Sequence, residues 1–320
     1  MNLYDVFNGD ADGICALIQL RLEEPAETTL ITGVKRDIAL AQQIPTDQPV
    51  KATILDISLD KNRQAVNALL NAGSKVFYVD HHFPGESLPE ASGFQALIDT
   101  QPTTCTSLLV DQHLNGRFHN WAITAAFGDN LNAVAEELAR EAGLTSAQTE
   151  ALKTLGVCIN YNGYGSTLDD LHFHPADLYR EFVKFENPLE LIASAPPAWS
   201  KLRSGFEADM TSGLAAPVMA ENSSSIIVKL PDEPWARRVS GVLGNELTNR
   251  NPEKACAIVT EKADGGYLVS IRAPLNNRTG ADEVARKFPT GGGRKAAAGI
   301  NELPAEHLND FISIMQNFWH

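Results

Sequence analysis

The run Val76-Phe77-Tyr78-Val79 ends in Asp80-His81-His82, so a segment suited to burial finishes in three side chains able to hold a metal ion or a proton. β-Branched and aromatic residues without polar alternation suit a parallel strand covered on both faces. Open α/β sheets made of such strands gather their ligands at the carboxyl ends. Taken alone, the triplet fits the capping of a turn as well as catalysis. The ends of the other strands decide between them.

Two more apolar runs end in the same way. Leu3 to Phe7 enters Asn8-Gly9-Asp10-Ala11-Asp12-Gly13, which sets a pair of carboxylates on a glycine-bounded turn, and Ala52-Thr53-Ile54-Leu55 ends in Asp56. Asp10 or Asp12 can also cap the helix that follows, by accepting its free N–H groups and complementing its dipole. Asp129, after Ala125-Ala126-Phe127-Gly128, is a further candidate, with capping of a helix near Asn132 as its other reading. Acids crowded at one sheet edge repel, and a divalent cation is the common remedy. Carboxylates with one or two imidazoles and no clustered thiols suit Mn²⁺ or Mg²⁺ better than structural Zn²⁺.

Between these ends the chain alternates strand and helix. Strands are expected at Leu3–Phe7, 29–32, 51–56 and 75–79, with helices at 13–22 and 61–72, and from about Thr104 to Asn162 the pattern is mainly helical. The rhythm implies an α/β fold: an N-terminal, mostly parallel sheet with helices on both faces, plus a smaller C-terminal α/β domain. With 320 residues the chain exceeds a comfortable single core. We assign 1–185 to the first domain, 186–221 to a linker marked by Asn187-Pro188, Pro196-Pro197 and Ala215-Ala216-Pro217, and 222–320 to the second. Strands are expected there at 225–230, 255–260 and 267–271, with helices at 237–249, 280–287 and 305–319.

Composition narrows the partners. With 26 Lys and Arg against 40 Asp and Glu, a formal net charge of −14, the chain lacks the global positive field with which long nucleic acids are held. That tilts the substrate toward something small. No apolar stretch is long enough to span a bilayer, no secretory signal is visible, and Cys15, Cys105, Cys158 and Cys256 show no C-x-x-C spacing. A cytoplasmic protein with reduced thiols is expected.

Together these motifs carry a family resemblance. Asn8-Gly-Asp-Ala-Asp-Gly, Asp56, Asp80-His-His and Asp129 resemble four successive motifs of the DHH phosphoesterases, of the nanoRNase and RecJ-like kind. Gly291-Gly292-Gly293-Arg294-Lys295-Ala296-Ala297-Ala298-Gly299 resembles the glycine-rich signature of the DHH-associated C-terminal domain, and Val269-Ser270-Ile271-Arg272 its arginine-bearing strand. The resemblance covers about the whole chain. It implies a phosphodiesterase with two divalent cations, Mn²⁺ ahead of Mg²⁺, in a cleft between the domains, where the pair activates a water. On that pattern Asp56 bridges the metals and Asp10 binds one. Asp12, His81 and Asp129 bind the other, Asp80 is a ligand or an orienter, and His82 meets the substrate phosphate. Arg272, Arg294 and the three glycines, whose backbone N–H groups can approach an anion closely, would grip the substrate.

Two departures stand out. Asn8 occupies a position where relatives carry an acid or histidine, which weakens one metal or binds it through water, and Arg294 stands where many relatives have histidine. The expected activity is hydrolysis of short oligoribonucleotides or linear dinucleotides to mononucleotides. Long duplexes and membranes are not expected as partners, and monomer and homodimer both stay open. The alternatives are a cyclic-dinucleotide phosphodiesterase, a RecJ-like single-strand exonuclease and a non-catalytic nucleotide sensor.

Overall fold

The computed structural model describes residues 1–319. They form two compact units, Met1–Ser204 and the described residues from Gly205 on. The first opens with β1 (Asn2–Phe7), α1 (Ala11–Glu23), β2 (Thr29–Ile31), β3 (Val50–Leu55), α2 (Leu59–Asn71), β4 (Lys75–Asp80) and β5 (Phe94–Ile98). Helices follow: α3 (Thr106–His113), α4 (His119–Gly128), α5 (Asn132–Glu141), α6 (Ser146–Asn162), α7 (Pro175–Phe182), α8 (Pro188–Ser194) and α9 (Pro197–Leu214), which runs through the division between the units.

The five strands lie in the order β2-β1-β3-β4-β5, and every pairing is parallel. In this doubly wound order the chain reverses direction across the sheet between β1 and β3, which opens a crevice at the carboxyl ends of those two strands. Register then sets the site. Phe7 pairs with Leu55 and Leu55 with Val79, so the next residues, Asn8, Asp56 and Asp80, lie side by side at one edge of the sheet, where Asn8 and Asp56 leave their strands and Asp80 ends its own. Val6, Ile54, Val76 and Tyr78 are buried against Val66 and Leu69 of α2. Each such side chain contributes about 1.5–3 kcal/mol relative to exposure, so the acid-bearing ends stand on a rigid base.

β5 was not expected from the sequence. It is a half-buried edge strand after a Pro- and Gly-rich stretch, so it lacks the continuous apolar run of its neighbours. A buried ion pair fixes α1 on the sheet: Arg21 donates to both carboxylate oxygens of Asp5 in β1 (2.6 and 2.8 Å), and Thr28 adds a hydroxyl at 2.7 Å. Removing one partner of such a pair strands the other charge. Arg21→Ala is therefore expected to cost about 3–5 kcal/mol in urea unfolding.

Residues 186–221 carry α8, α9 and a strand, where a linker was expected. The prolines that read as breaks start helices: Pro188 and Pro197 are the first residues of α8 and α9, where the missing N–H is no loss, and Asn187 caps α8 by accepting from Leu189 N at 3.0 Å. The second unit contains β6 (Val218–Glu221), β7 (Ser225–Leu230), α10 (Pro234–Arg250), β8 (Ala255–Glu261), β9 (Tyr267–Arg272), α11 (Ala281–Ala285), β10 (Gly291–Gly293), β11 (Ala297–Leu303) and α12 (Leu308–Phe318). Its sheet runs β10-β11-β9-β8-β7-β6 and is antiparallel except for the β7–β8 pair. Ile227, Val259, Val269, Ile271 and Ile300 form its core with Phe311 and Met315 of α12.

Candidate metal centre

At the end of β3 the backbone turns into the left-handed region at Asp56 (φ 58°), a conformation that Asp tolerates better than most residues. Its carboxylate is buried and accepts from Thr106 Oγ1 at 3.2 Å. Burial, and then Asp12, Asp10, Asp80 and Asp129, push the Asp56 carboxyl well above the usual carboxylate range. Four neighbouring acids thus make a full negative charge here unfavourable unless a cation joins them.

His81 supplies the strongest sign of that cation. Its Nδ1 lies 3.1 Å from the carbonyl of Thr104, and a carbonyl only accepts, so Nδ1 carries the proton. In the neutral ring, the form that binds a metal, the lone pair is then on Nε2. This atom is buried without a hydrogen-bond partner, 3.4 Å from Asp56 Oδ1 and 3.8 Å from Asp12 Oδ2. A buried acceptor facing two acceptors costs free energy, and a shared cation relieves it. Donor atoms of Asp56, His81 and His82 lie within 4.8 Å of one another.

Asp12 and Asp10 are held differently. The N-terminus of α3 has no side-chain cap of its own, and Asp12 supplies one from far along the chain, accepting from Thr106 N and Ser107 N at 2.7 Å each. Asp10 caps α1 through Oδ1, which accepts from Asp12 N and Gly13 N, so its capping role is real. Its Oδ2 accepts from Lys35 Nζ. Burial raises the Asp10 carboxyl, but Lys35 outweighs it, and the pKa stands lowered at about 2.

Asp129 is the C-cap residue within a Schellman turn rather than the N-cap of the next helix. Asn130 adopts φ 61° and donates to Phe127 O, while Leu131 N donates to Ala126 O, which closes α4 and leaves Asp129 at its C-cap. It faces Lys35 Nζ at 3.8 Å. A Cβ on the preceding Gly128 would come within 2.4 Å of Ala11 Cβ, so glycine is what lets α4 approach the Asp10–Asp12 turn.

His82 departs from His81 in exposure. Its side chain is 29% exposed against 2%, and its Nδ1 donates to Asp80 Oδ1 at 2.7 Å. Asp80 is fully buried. The carboxylate fixes the ring, and the ring faces outward.

No protein-family model and no curated protein matches the chain. Solved structures do match. A manganese-bound RecJ exonuclease aligns with 99% of this chain and 89% of its own, at TM-score 0.62 and 14% identity. RecJ with Mn²⁺ from Thermus thermophilus gives TM-score 0.55 at 15% identity, with 99% of this chain covering 52% of that one. The pGpG-specific phosphodiesterase PggH from Vibrio cholerae gives 0.56 at 12% identity, over 99% of both chains. This chain has the fold of RecJ and of PggH.

Against the DHH pattern, the Asp12–Asp56–His81 group fits a divalent ion: two carboxylates and an orphaned imidazole nitrogen converge. The Asn8–Asp10 group fits less well. Asn8 is a neutral amide whose Nδ2 donates to Lys35 O at 3.1 Å and whose Oδ1 is buried without a partner, and Asp10, unlike Asp12, already holds a cation, the Lys35 ammonium. Lys35 escaped sequence reading, as did the α3 N-terminus; the run Thr103-Thr104-Cys105-Thr106-Ser107 was the available signal for the latter.

In the second unit Arg272 is spoken for by its own domain. It donates to Asn245 Oδ1 at 2.6 Å, Ser270 Oγ at 3.2 Å, Ile271 O at 3.1 Å and Gly241 O at 3.3 Å. These bonds use four of the five N–H groups of a guanidinium. Gly291, Gly292 and Gly293 form a short strand against β11. A Cβ on Gly291 would lie 1.7 Å from Ala285 O, and this crowding requires glycine. Arg294 is exposed at the hairpin tip, its N donating to Ala297 O at 2.8 Å. His172 and His174 do not converge: the first pairs with Tyr161 OH at 2.7 Å and the second caps α7.

Proposed function

We propose that this protein is a metal-dependent phosphodiesterase that hydrolyses very short oligonucleotides or linear dinucleotides to mononucleotides. The observation that carries the reading is the buried, unpartnered Nε2 of His81, aimed at Asp56 and Asp12. The fold supports it, since manganese-bound RecJ and PggH share it. The net charge of −14 supports a small substrate over a long strand.

Asp12, Asp56 and His81 would hold the divalent cation, Mn²⁺ ahead of Mg²⁺, with Asp80, Asp129, Asp10 and Asn8 around them. Bound there, a cation favours ionisation of an attacking water and offsets the charge gathering on phosphorus. The chain's own residues do the rest. The Thr104 carbonyl keeps the His81 proton on Nδ1, so Nε2 stays available as a donor atom. Asp80 holds His82 through Nδ1, so the half-exposed ring meets a phosphoryl oxygen in a fixed orientation. His82→Ala is expected to lower kcat/KM by about 10²–10⁴, the range for losing a positioned acid–base or hydrogen-bonding group, with the metal content unchanged. Arg294 and the glycines Gly291, Gly292 and Gly293 would bind a phosphate of the substrate, with Arg272 adding the one N–H that its own domain leaves over, and Arg272→Ala should act on KM more than on kcat.

The test is a length ladder of 5′-labelled RNA and DNA with Mn²⁺, beside cyclic dinucleotides. Preferential loss of the two- to four-nucleotide species is expected. Equal degradation of long single strands would make the protein an exonuclease, and turnover of only cyclic substrates would make it a cyclic-dinucleotide phosphodiesterase. Metal-replete inactivity on every substrate would leave a nucleotide sensor.

A further inference from the structure

Lys35 places a fixed positive charge among the acids, and its backbone is fastened on both sides. Its N donates to Gly163 O at 2.8 Å, and its carbonyl accepts from Asn8 Nδ2 at 3.1 Å. The ammonium donates to Asp10 Oδ2 and to Asn160 Oδ1 at 3.0 Å, lies 3.8 Å from Asp129 Oδ1 and stands 5.3 Å from the centre of the Tyr164 ring. Its side chain is 24% exposed. Acceptors from the β1–α1 turn, the end of α4 and α6 thus converge on one tethered cation.

This is the side of the centre where the family resemblance implies a metal held by Asp10 and an acid at position 8. Here position 8 is an amide. Its Nδ2 holds the lysine backbone, and a carboxylate in its place would have no proton to give that carbonyl. Asp10 has one oxygen on two backbone N–H groups and the other on Lys35, so a metal taking Asp10 would displace the ammonium or sit beside it. Two cations a few ångström apart in a half-dry pocket repel strongly. Asn8 and Lys35 are therefore matched: one removes an anion from this side and the other adds a cation.

We propose that the centre binds a single divalent ion, on the Asp12–Asp56–His81 side, and that the Lys35 ammonium takes the place of a second. The inference rests on the metal-dependent reading above and deepens it. It gives the site three positive charges where a dinuclear centre has four.

The test reads metal binding rather than turnover. Chelator-stripped full-length protein is titrated with Mn²⁺ by calorimetry, and the loaded samples are compared by electron paramagnetic resonance. Wild type is expected to take up one Mn²⁺ per chain and to show the six-line spectrum of an isolated ion, and Lys35→Arg the same. The double variant Asn8→Asp/Lys35→Met is expected to take up a second ion and to show a spin-coupled pair. Two tightly bound ions with a coupled spectrum in wild type would overturn the Lys35 assignment and leave the metal-dependent reading standing. A folded double variant that stays at one ion would overturn it too. No Mn²⁺ uptake by wild type would remove the metal-dependent reading itself. If the double variant fails to fold, wild type and Lys35→Arg still decide between one ion and two.

Discussion

Replacing Asp56 by asparagine is expected to lower kcat/KM by well over about 100-fold, the loss that removing even an outer partner of a metal ligand brings, and yet to stabilise the metal-free protein. The two effects share one cause. Asp56 is buried among Asp12, Asp10, Asp80 and Asp129, which together with burial hold its carboxyl pKa well above 3.8. An acid whose folded pKa is raised binds its proton more tightly in the folded state. The penalty is therefore absent below the unfolded value and grows as pH rises through the range up to the folded one. Asparagine removes it, tolerates the left-handed backbone at this position and keeps an oxygen for Thr106 Oγ1. In chelator at neutral pH the variant should melt at least about 2 °C above wild type, the response of a domain of this size to 1 kcal/mol. The gap should close in acid. Added Mn²⁺ should reverse the order, because it binds folded wild type far better than the variant. A variant less stable than wild type in chelator would mean that the acids are not in electrostatic conflict.

The sequence made this cluster legible because its members end apolar runs. Asp56 directly follows a buried strand and Asp80 ends one, and the register Phe7–Leu55–Val79 brings them beside Asn8 without any further information. Lys35 left no such mark. Its contacts lie 25 and 125 residues away, at Asp10 and Asn160, and its own segment is a short polar connection with neither strand nor helix periodicity. The glycine strand is hidden from sequence for a different reason. Gly291, Gly292 and Gly293 have poor strand propensity, and what makes them a strand is their pairing with β11, which is tied in turn to β9. The prolines at 188 and 197 signal a chain break or a helix start equally well, and only the following residues' packing settles which.

Asp12→Asn is expected to lose activity on the same scale as Asp56→Asn but to lose stability with it, and that opposite sign separates the two acids. Both oxygens of Asp12 accept backbone N–H groups at the start of α3, Thr106 N and Ser107 N, at 2.7 Å. Asparagine keeps one acceptor and turns the other into an NH₂ that faces a buried N–H. A donor left unpaired in such a place costs about 1–3 kcal/mol. The lost negative charge at a helix N-terminus adds about 0.3–1 kcal/mol. Thr106 carries the damage into the centre, since its N binds Asp12 while its hydroxyl binds Asp56. Loosening α3 therefore moves a partner of Asp56 as well as the ligand at position 12. Chemical denaturation in chelator should show Asp12→Asn less stable than wild type and Asp56→Asn more stable. Equal stabilities for the two variants would mean that Asp12 does not anchor α3. If Asp12→Asn gains stability as Asp56→Asn does, then repulsion among the acids, rather than hydrogen bonding to α3, dominates the energy of this end of the sheet.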